Sequence, residues 1–116
     1  MRYIQLVEFD TNHPVHEVQQ ALDAWLAASR GKRNLHMAVV AADHDRSNHY
    51  WELLEYASEQ EAMRTAELPE TKTAYEKWSR LLDGKPTFHN LDVVEHVGAP
   101  EGPVEGLGPW STPGAG

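Results

Sequence analysis

The acidic residue Glu52 lies among aromatic and aliphatic neighbours in segment 48–56, NHYWELLEY. In a β-strand, alternate side chains share one face of the sheet. The residues on the face of Glu52 would be Tyr50, Leu54 and Tyr56. Burial in such surroundings raises the pKa of a carboxyl group and makes it a usable general base near neutral pH. The alternative is an ordinary sheet glutamate that reaches solvent or pairs with an arginine.

A histidine on the preceding strand could work together with Glu52. If the polar turn 43–47 joins residues 42 and 48 as strand partners, His36 becomes a diagonal neighbour of Glu52 on the same face. A carboxylate–imidazole pair suits abstraction of a proton from a phenol or an enolisable carbon. A register slip of one residue would move His36 to the opposite face.

Aromatic side chains elsewhere in the chain could shape a pocket around this pair. Tyr56 is a candidate hydrogen-bond donor to a substrate oxygen, and packing at a strand end is the alternative. Trp25, Tyr75 and Trp78 fall on apolar helical stripes, where core packing is the expected role and pocket lining the alternative. The residues that we expect to contact a substrate are Tyr50, Leu54, Trp25, Tyr75 and Trp78.

Other kinds of catalytic site are poorly supported by the sequence. The histidines of segment 13–16 and the residues Asp-His-Asp at 43–45 could contribute to a metal site, but no third ligand is set by spacing. Before residue 98 the only glycines are Gly31 and Gly84, so there is no glycine-rich phosphate loop. We therefore expect no metal and no cofactor, with haem binding through one of the seven histidines as a less favoured alternative.

Hydropathy periods of two and of 3.6 residues alternate along the chain and define the elements that would position these residues. The order is β-α-β-β-α-β, with the second helical region broken at Pro69. Ser58 begins a capping box, S-E-Q-E. The predicted strands are 2–9, 35–42, 48–56 and 87–97, and the predicted helices lie between Pro14 and Gly31, between Ser58 and Pro69, and over about 70–82.

This order predicts an α+β, ferredoxin-like fold with a four-stranded antiparallel sheet in the order 4-1-3-2. The helices would cover one face of the sheet and leave the other bare. Large side chains, including Trp51, would lie on that bare face. A bare apolar face usually acquires a partner, so we expect a homodimer in which two sheets close into a dimeric α+β barrel.

Composition sets wider limits on the kind of protein. The 116 residues carry a net charge of −8 and no cysteine. We expect one globular domain at 1–97, followed by a flexible Pro/Gly-rich tail at 98–116. The acidic balance argues against nucleic-acid binding, and no apolar stretch is long enough for a membrane span. The absence of cysteine makes a cytoplasmic location the default expectation.

The segment YWELLEYASEQEAM, the tripeptide Leu68-Pro69-Glu70 and the segment PTFHNLDVV resemble the antibiotic biosynthesis monooxygenase-like family of dimeric α+β barrel proteins. The resemblance covers about residues 2–97. It implies a pocket between the helices and the sheet of each subunit. Characterised enzymes of the family oxidise electron-rich aromatic substrates with O₂ and use neither flavin nor metal. Relatives degrade haem, isomerise lactones or have no known activity.

The chain departs from the pattern of that family at its chemical positions. The family's oxygenases typically have an Asn and a Trp four residues apart on the third strand, and often a His on the following helices. The matching strand positions here hold Glu52 and Tyr56, and segment 57–85 contains no His.

Two hypotheses of function follow. The first is a cofactor-independent monooxygenase, or a related proton-transfer enzyme, acting on a small aromatic or polyketide-like substrate. Glu52 would be its base, His36 the partner of that base, and Tyr56 the group that holds the developing oxyanion. The second is a non-catalytic, dimeric protein that binds a small hydrophobic or aromatic ligand.

Overall fold

The computed structural model describes residues 1–97, and the predicted tail at 98–116 lies outside the described residues. Four strands and three helices follow in the predicted order within this part of the chain. Their bounds are β1 Tyr3–Asp10, α1 Val15–Ala28, β2 Leu35–Ala42, β3 His49–Tyr56, α2 Glu59–Ala66, α3 Pro69–Ser79 and β4 Thr87–Asp92.

The four strands form one antiparallel sheet in the order β2-β3-β1-β4. This order is the predicted ferredoxin-like arrangement, and the prediction of an α+β fold is confirmed. The central strands β1 and β3 pair along their whole length, from Tyr3 opposite Tyr56 to Asp10 opposite His49. A residue in the middle of β3 is therefore held by hydrogen-bonded strands on both sides.

The helices pack on one face of this sheet. One part of the core joins Tyr3, Leu54 and Tyr56 of the sheet to Trp25 of α1 and Ala62 of α2. A second part joins Val7 and Phe9 to Val18, with Trp78 of α3 packed against it. These sheet residues alternate along their strands, as expected for a sheet with one covered face.

The break between α2 and α3 follows from their capping residues. Ser58 Oγ accepts a hydrogen bond of 3.2 Å from the Glu61 backbone N–H, which is half of the predicted capping box. The Glu61 carboxylate bonds to Arg64 instead of returning to the Ser58 amide. Pro69 occupies the first turn of α3, where its missing N–H removes no helical hydrogen bond.

The β2–β3 hairpin closes differently from the prediction. The Asp43 N–H donates to the His49 carbonyl, and Ala42 pairs with Tyr50 rather than with residue 48. Asn48 extends the turn because it adopts a positive φ of 60°, a conformation that asparagine tolerates better than most residues. The register is therefore shifted by two residues from the predicted one.

The last strand is shorter than the predicted segment 87–97. Asp92 pairs with Tyr3, and the Val93 N–H donates to the Arg2 carbonyl. Segment 93–97 is irregular. None of the helices among the described residues is long and apolar enough to cross a membrane.

The other face of the sheet, which we call the outer face, carries alternate residues of all four strands. One cross-strand row consists of Val39, Leu53, Leu6 and His89, and the next consists of Met37, Glu55, Ile4 and Leu91. Val39 and Leu91 are each 43% exposed. Apolar side chains of the outer face are therefore partly open to solvent in the isolated chain.

Candidate active site

Glu52 lies at the centre of the sheet, on the face that the helices cover. Its partners on the neighbouring strands are Val7 of β1 and Val40 of β2. The side chain is only 9% exposed. This location follows from strand parity, since Leu54 and Tyr56 occupy the same face and belong to the core.

The carboxyl group of Glu52 has no hydrogen-bond or ion-pair partner among residues 1–97. Burial alone raises its pKa from the usual 4.5 to about 7. A buried acid without a partner is unfavourable for folding, and such groups are concentrated at functional sites. Near neutral pH this carboxyl group can both accept and release a proton.

A cavity of about 120 Å³ opens beside Glu52, between the sheet and the three helices. Five aromatic side chains line it: Trp25, Tyr56, Tyr75, Trp78 and Phe88. The polar residues of the lining are Gln5, Glu52 and Thr71, and the buried Nε1 of Trp78, another lining residue, has no hydrogen-bond partner among the described residues. No Lys, Arg or His is among the described residues that line it.

Tyr56 stays protonated throughout the ordinary pH range. Burial, and secondarily the nearby charge of Glu52, raise the pKa of the Tyr56 hydroxyl to about 12, although Arg33 acts in the opposite direction. Its O–H group is therefore a neutral hydrogen-bond donor. Four residues separate it from Glu52 along β3, or about 13 Å between the Cα atoms at the usual rise of a strand. A ligand between them could meet both groups.

Trp25 is held in one orientation by contacts on two sides. Its indole Nε1 donates to Thr71 Oγ1 over 2.9 Å. The guanidinium carbon of Arg33 lies 5.8 Å from the centre of the Trp25 ring. Since Thr71 Oγ1 acts as an acceptor here, its own hydrogen is left for a bond to a ligand. The bond between Trp25 and Thr71 therefore shapes the cavity wall and orients a donor at the same time.

Three further aromatic rings form a continuous wall of the cavity. The ring centre of Tyr75 lies 5.7 Å from that of Trp78 and 6.3 Å from that of Phe88. Trp78 in turn meets Phe9 edge-on at 5.1 Å. Such a wall favours planar, apolar ligands.

Several solved structures share this architecture. SnoaB, a cofactor-independent oxygenase from Streptomyces nogalater, has a TM-score of 0.70 at 9% identity, over 83% of this chain and 96% of that chain. A predicted antibiotic biosynthesis monooxygenase from Caulobacter crescentus has a TM-score of 0.70 at 16% identity, over 81% and 91% of the two chains. Another, from Chloroflexus aurantiacus, has a TM-score of 0.67 at 15% identity, over 84% and 98%. The chain has the fold of the antibiotic biosynthesis monooxygenases.

Structural likeness at such low identity establishes the fold alone. No protein-family profile and no curated protein matches the sequence. Because one fold can carry many reactions, the function of this example of the antibiotic biosynthesis monooxygenase fold depends on the chemistry of its own cavity.

The predicted pairing of His36 with Glu52 is wrong. The residue opposite Glu52 on β2 is Val40, and a bulge between Leu35 and Met37 removes His36 from the regular pairing. Four residues separate His36 from Val40, which is about 13 Å along a strand. His36 is also not among the described residues that line the cavity. Glu52 therefore lacks the predicted imidazole partner.

The predicted substrate-contacting residues separate into two groups. Leu54, Trp25, Tyr75 and Trp78 line the cavity. Tyr50 does not belong to the described lining, because its ring stacks on Phe9 at a centre-to-centre distance of 5.8 Å. Contact of any of these residues with a substrate stays a prediction.

Sequence reasoning missed Gln5, Thr71 and Phe88. Gln5 had a usable signal, since it is the one polar residue at the parity of Tyr3, Val7 and Phe9 on the first strand. Thr71 had none, because its position in the lining depends on how α1 packs against α3. Phe88 lies opposite Val7, a pairing that strand parity alone does not identify.

A second group of ionisable side chains lies on the outer face. His49 is buried, with Nδ1 2.7 Å from Asp10 Oδ1 and Nε2 3.1 Å from Glu8 Oε1. His89 Nε2 lies 2.9 Å from the other oxygen of Glu8, and the hydrogen bonds from His89 and then His49 lower the pKa of that carboxyl group. Among the described residues, no group of three or more His, Asp or Glu could hold a metal ion.

Proposed function

We propose that this protein is a cofactor-independent monooxygenase that acts on a small, electron-rich aromatic substrate, with Glu52 as the general base. The observation that carries the proposal is the unpartnered carboxyl group of Glu52 in an aromatic cavity. The shared fold with SnoaB, a cofactor-independent oxygenase, supports the class of reaction. The sequence resemblance implies that Glu52 and Tyr56 occupy the strand positions at which oxygenases of that family have Asn and Trp.

Proton transfer would start the reaction. Glu52 takes a proton from an acidic C–H or phenolic O–H of the substrate, and the electron-rich anion left behind is oxidised by O₂. For a methylene carbon the balance is R₂CH₂ + O₂ giving R₂C=O + H₂O, with one oxygen atom in the product and one in water. A base whose pKa is near 7 is well matched to this task at neutral pH.

Neutral donors would stabilise the substrate anion. Tyr56, Gln5 and Thr71 line the cavity and can each donate a hydrogen bond without carrying a charge. Fixed donors aimed at developing charge lower the barrier more strongly in a buried site than in water. Tyr56 is the strongest candidate because its hydroxyl stays protonated.

Oxygen uptake tests the proposal directly. Protein stripped of metal by a chelator and free of flavin would be assayed with single-ring hydroquinones in an oxygen electrode. We expect uptake above the uncatalysed rate, lowered at least about a hundredfold by Glu52→Gln. Glu76→Gln is the matched control, because Glu76 is exposed on α3 and does not line the cavity. Equal loss in both variants, or full activity in Glu52→Gln, would remove Glu52 from the mechanism.

Non-catalytic ligand binding is the second candidate function. It is favoured by the missing histidine, since no imidazole accompanies Glu52 in the described lining. A ligand that raises the melting temperature without consumption of oxygen or formation of product would support this reading. Haem binding in the cavity would have to do without a histidine ligand from the described lining.

We infer further that a second copy of the chain covers the outer face. The row of Val39, Leu53 and Leu6, with Ile4 and Leu91 of the next row, gives the outer face apolar side chains, of which Val39 and Leu91 are exposed in the isolated chain. Two such faces packed together would form a dimeric α+β barrel with the cavities on its outside. The active unit would then be a homodimer.

A further inference from the structure

Among the described residues that line the cavity, one is acidic and none is basic. Glu52 supplies the one carboxyl group of the described lining, and no basic side chain accompanies it. Arg33 lies over the Trp25 ring, where its Nε donates to Ser29 Oγ and its Nη2 to the Leu26 carbonyl, each over 2.7 Å. Neither of these bonds is made to Glu52. An anionic Glu52 is therefore left without a counter-charge from residues 1–97.

The rings around Glu52 favour a positive charge as well. The faces of aromatic rings carry negative electrostatic potential and attract cations, most strongly for tryptophan. Trp25, Tyr56, Tyr75, Trp78 and Phe88 all line the same cavity as the carboxyl group. Tyr56 remains uncharged, so it can accept a cation over its ring without adding a second negative charge.

We propose that this cavity binds a protonated amine carried on a single aromatic ring, with the ammonium group on Glu52 and the ring against the aromatic wall. The cavity, of about 120 Å³, is no larger than one of about 150 Å³ that holds benzene, so its size limits the ligand to a single ring. The inference goes beyond the proposed oxygenase reaction. Glu52 remains an anion beneath the amine, whereas in the reaction it accepts a proton.

A matched set of ligands separates charge from shape. The three compounds 2-phenylethylamine, 2-phenylethanol and 3-phenylpropionate share the ring and the spacer and differ in carrying a positive, zero or negative charge. None has a phenol or an activated methylene group, so binding is measured without turnover. By titration calorimetry near pH 7, we expect the amine to bind at least about tenfold more tightly than the alcohol, and the carboxylate to bind most weakly.

Proton release gives a second readout that needs no variant. At neutral pH a substantial fraction of Glu52 is protonated in the free protein, so an ammonium ligand must displace that proton. Titrations in two buffers of different ionisation enthalpy would show release of protons with the amine and none with the alcohol. Equal proton counts for the amine and the alcohol would overturn the proposal.

Substitutions test whether the Glu52 carboxylate is the source of the preference for the amine over the alcohol. Glu52→Gln keeps the side-chain shape, and we expect it to reduce the preference for amine over alcohol to within about twofold, while Glu76→Gln keeps the full preference. A preference that persists in a folded Glu52→Gln protein, checked by circular dichroism, would overturn the proposal. Oxygen uptake is not involved, so failure of the oxygenase assay leaves this test unaffected, and failure here leaves that assay unaffected.

Discussion

Trp25 of α1 donates its indole N–H to the hydroxyl oxygen of Thr71 on α3 over 2.9 Å. The bond connects two helices that pack over the cavity, and both Trp25 and Thr71 line the cavity. Trp25 is 7% exposed, so bulk water has little access to its indole ring. Stability and the shape of the cavity are therefore coupled through one hydrogen bond.

The nearly isosteric substitution Thr71→Val should destabilise the protein by about 1–3 kcal/mol, because it leaves the buried indole N–H without an acceptor. Urea denaturation would measure the loss. Thr73→Val, at an exposed position of the same helix, is the control and should change stability little. In the background Trp25→Phe the cost of Thr71→Val should largely disappear, and a cost that is unchanged there would show that the hydrogen bond is not its cause.

The buried acid should make stability fall as pH rises. The folded pKa of Glu52, about 7, lies above its unfolded value of 4.5, so the folded state binds more protons between these values. The stabilising effect of the protonated form is complete below about pH 4.5 and is lost as pH rises through about 7. The total difference is on the order of 3 kcal/mol.

Glu52→Gln isolates this effect. Near pH 5 the variant and the natural protein should have similar free energies of unfolding, since both carry a neutral side chain. Near pH 9 the variant should be more stable, by up to about 3 kcal/mol. Denaturant titrations at the two pH values measure the difference. A difference that does not change with pH would mean that the carboxyl group is solvated or paired in the folded protein.

Tyr56→Phe should lower kcat for aromatic oxidation by about a hundredfold, because it removes one fixed donor to the substrate anion. KM should change little, since the ring that packs against the substrate is kept. Tyr50→Phe is a matched control, as Tyr50 lies on the same face of β3 but stacks on Phe9 outside the cavity. Equal effects of the two substitutions on kcat would show that the Tyr56 hydroxyl has no special role.

The sequence predicts that Glu52 shares one face of the sheet with Tyr50, Leu54 and Tyr56, because this depends on strand parity alone. Which face the helices cover depends on helix packing, so the sequence left a solvent-exposed or arginine-paired Glu52 as the alternative. The prediction of His36 as its partner failed because a diagonal neighbour depends on register. Asn48, with its positive φ, extends the turn and shifts the β2–β3 register by two residues. The bulge at His36 could not be predicted from composition or periodicity.

The residues of the cavity walls were harder to predict than the strands, because they too depend on contacts between elements that are far apart in the sequence. Trp25 and Trp78 could be placed on apolar helix faces, but which atoms remain open to a cavity depends on the packing of α1 against α3. From the sequence, Thr71 is an ordinary residue on a helix surface. Its role is visible only in the structure, where it accepts a hydrogen bond from the indole of Trp25. The end of β4 likewise depends on where β1 begins, at Tyr3, and not on residues of β4 itself.

Ser58→Ala should destabilise the protein by about 1 kcal/mol, because the Ser58 hydroxyl caps α2 through the Glu61 N–H. Ser47→Ala, in the exposed β2–β3 turn, is the control and should be close to neutral. Thermal denaturation of both variants under identical conditions measures the difference. A neutral Ser58→Ala would show that solvent caps α2 equally well.

The outer face should associate with a second copy, and a charge placed there should prevent it. Val39 and Leu91 are each 43% exposed in the isolated chain, so Val39→Glu and Leu91→Glu should fold normally. In a dimer each substitution would bury an unpaired carboxylate, at a cost of about 3 kcal/mol or more. Light scattering during size exclusion should therefore give a dimeric mass for the natural protein and for the helix-surface control Thr73→Glu, and a monomeric mass for the two variants. A natural protein that remains monomeric at all concentrations would contradict the proposed barrel.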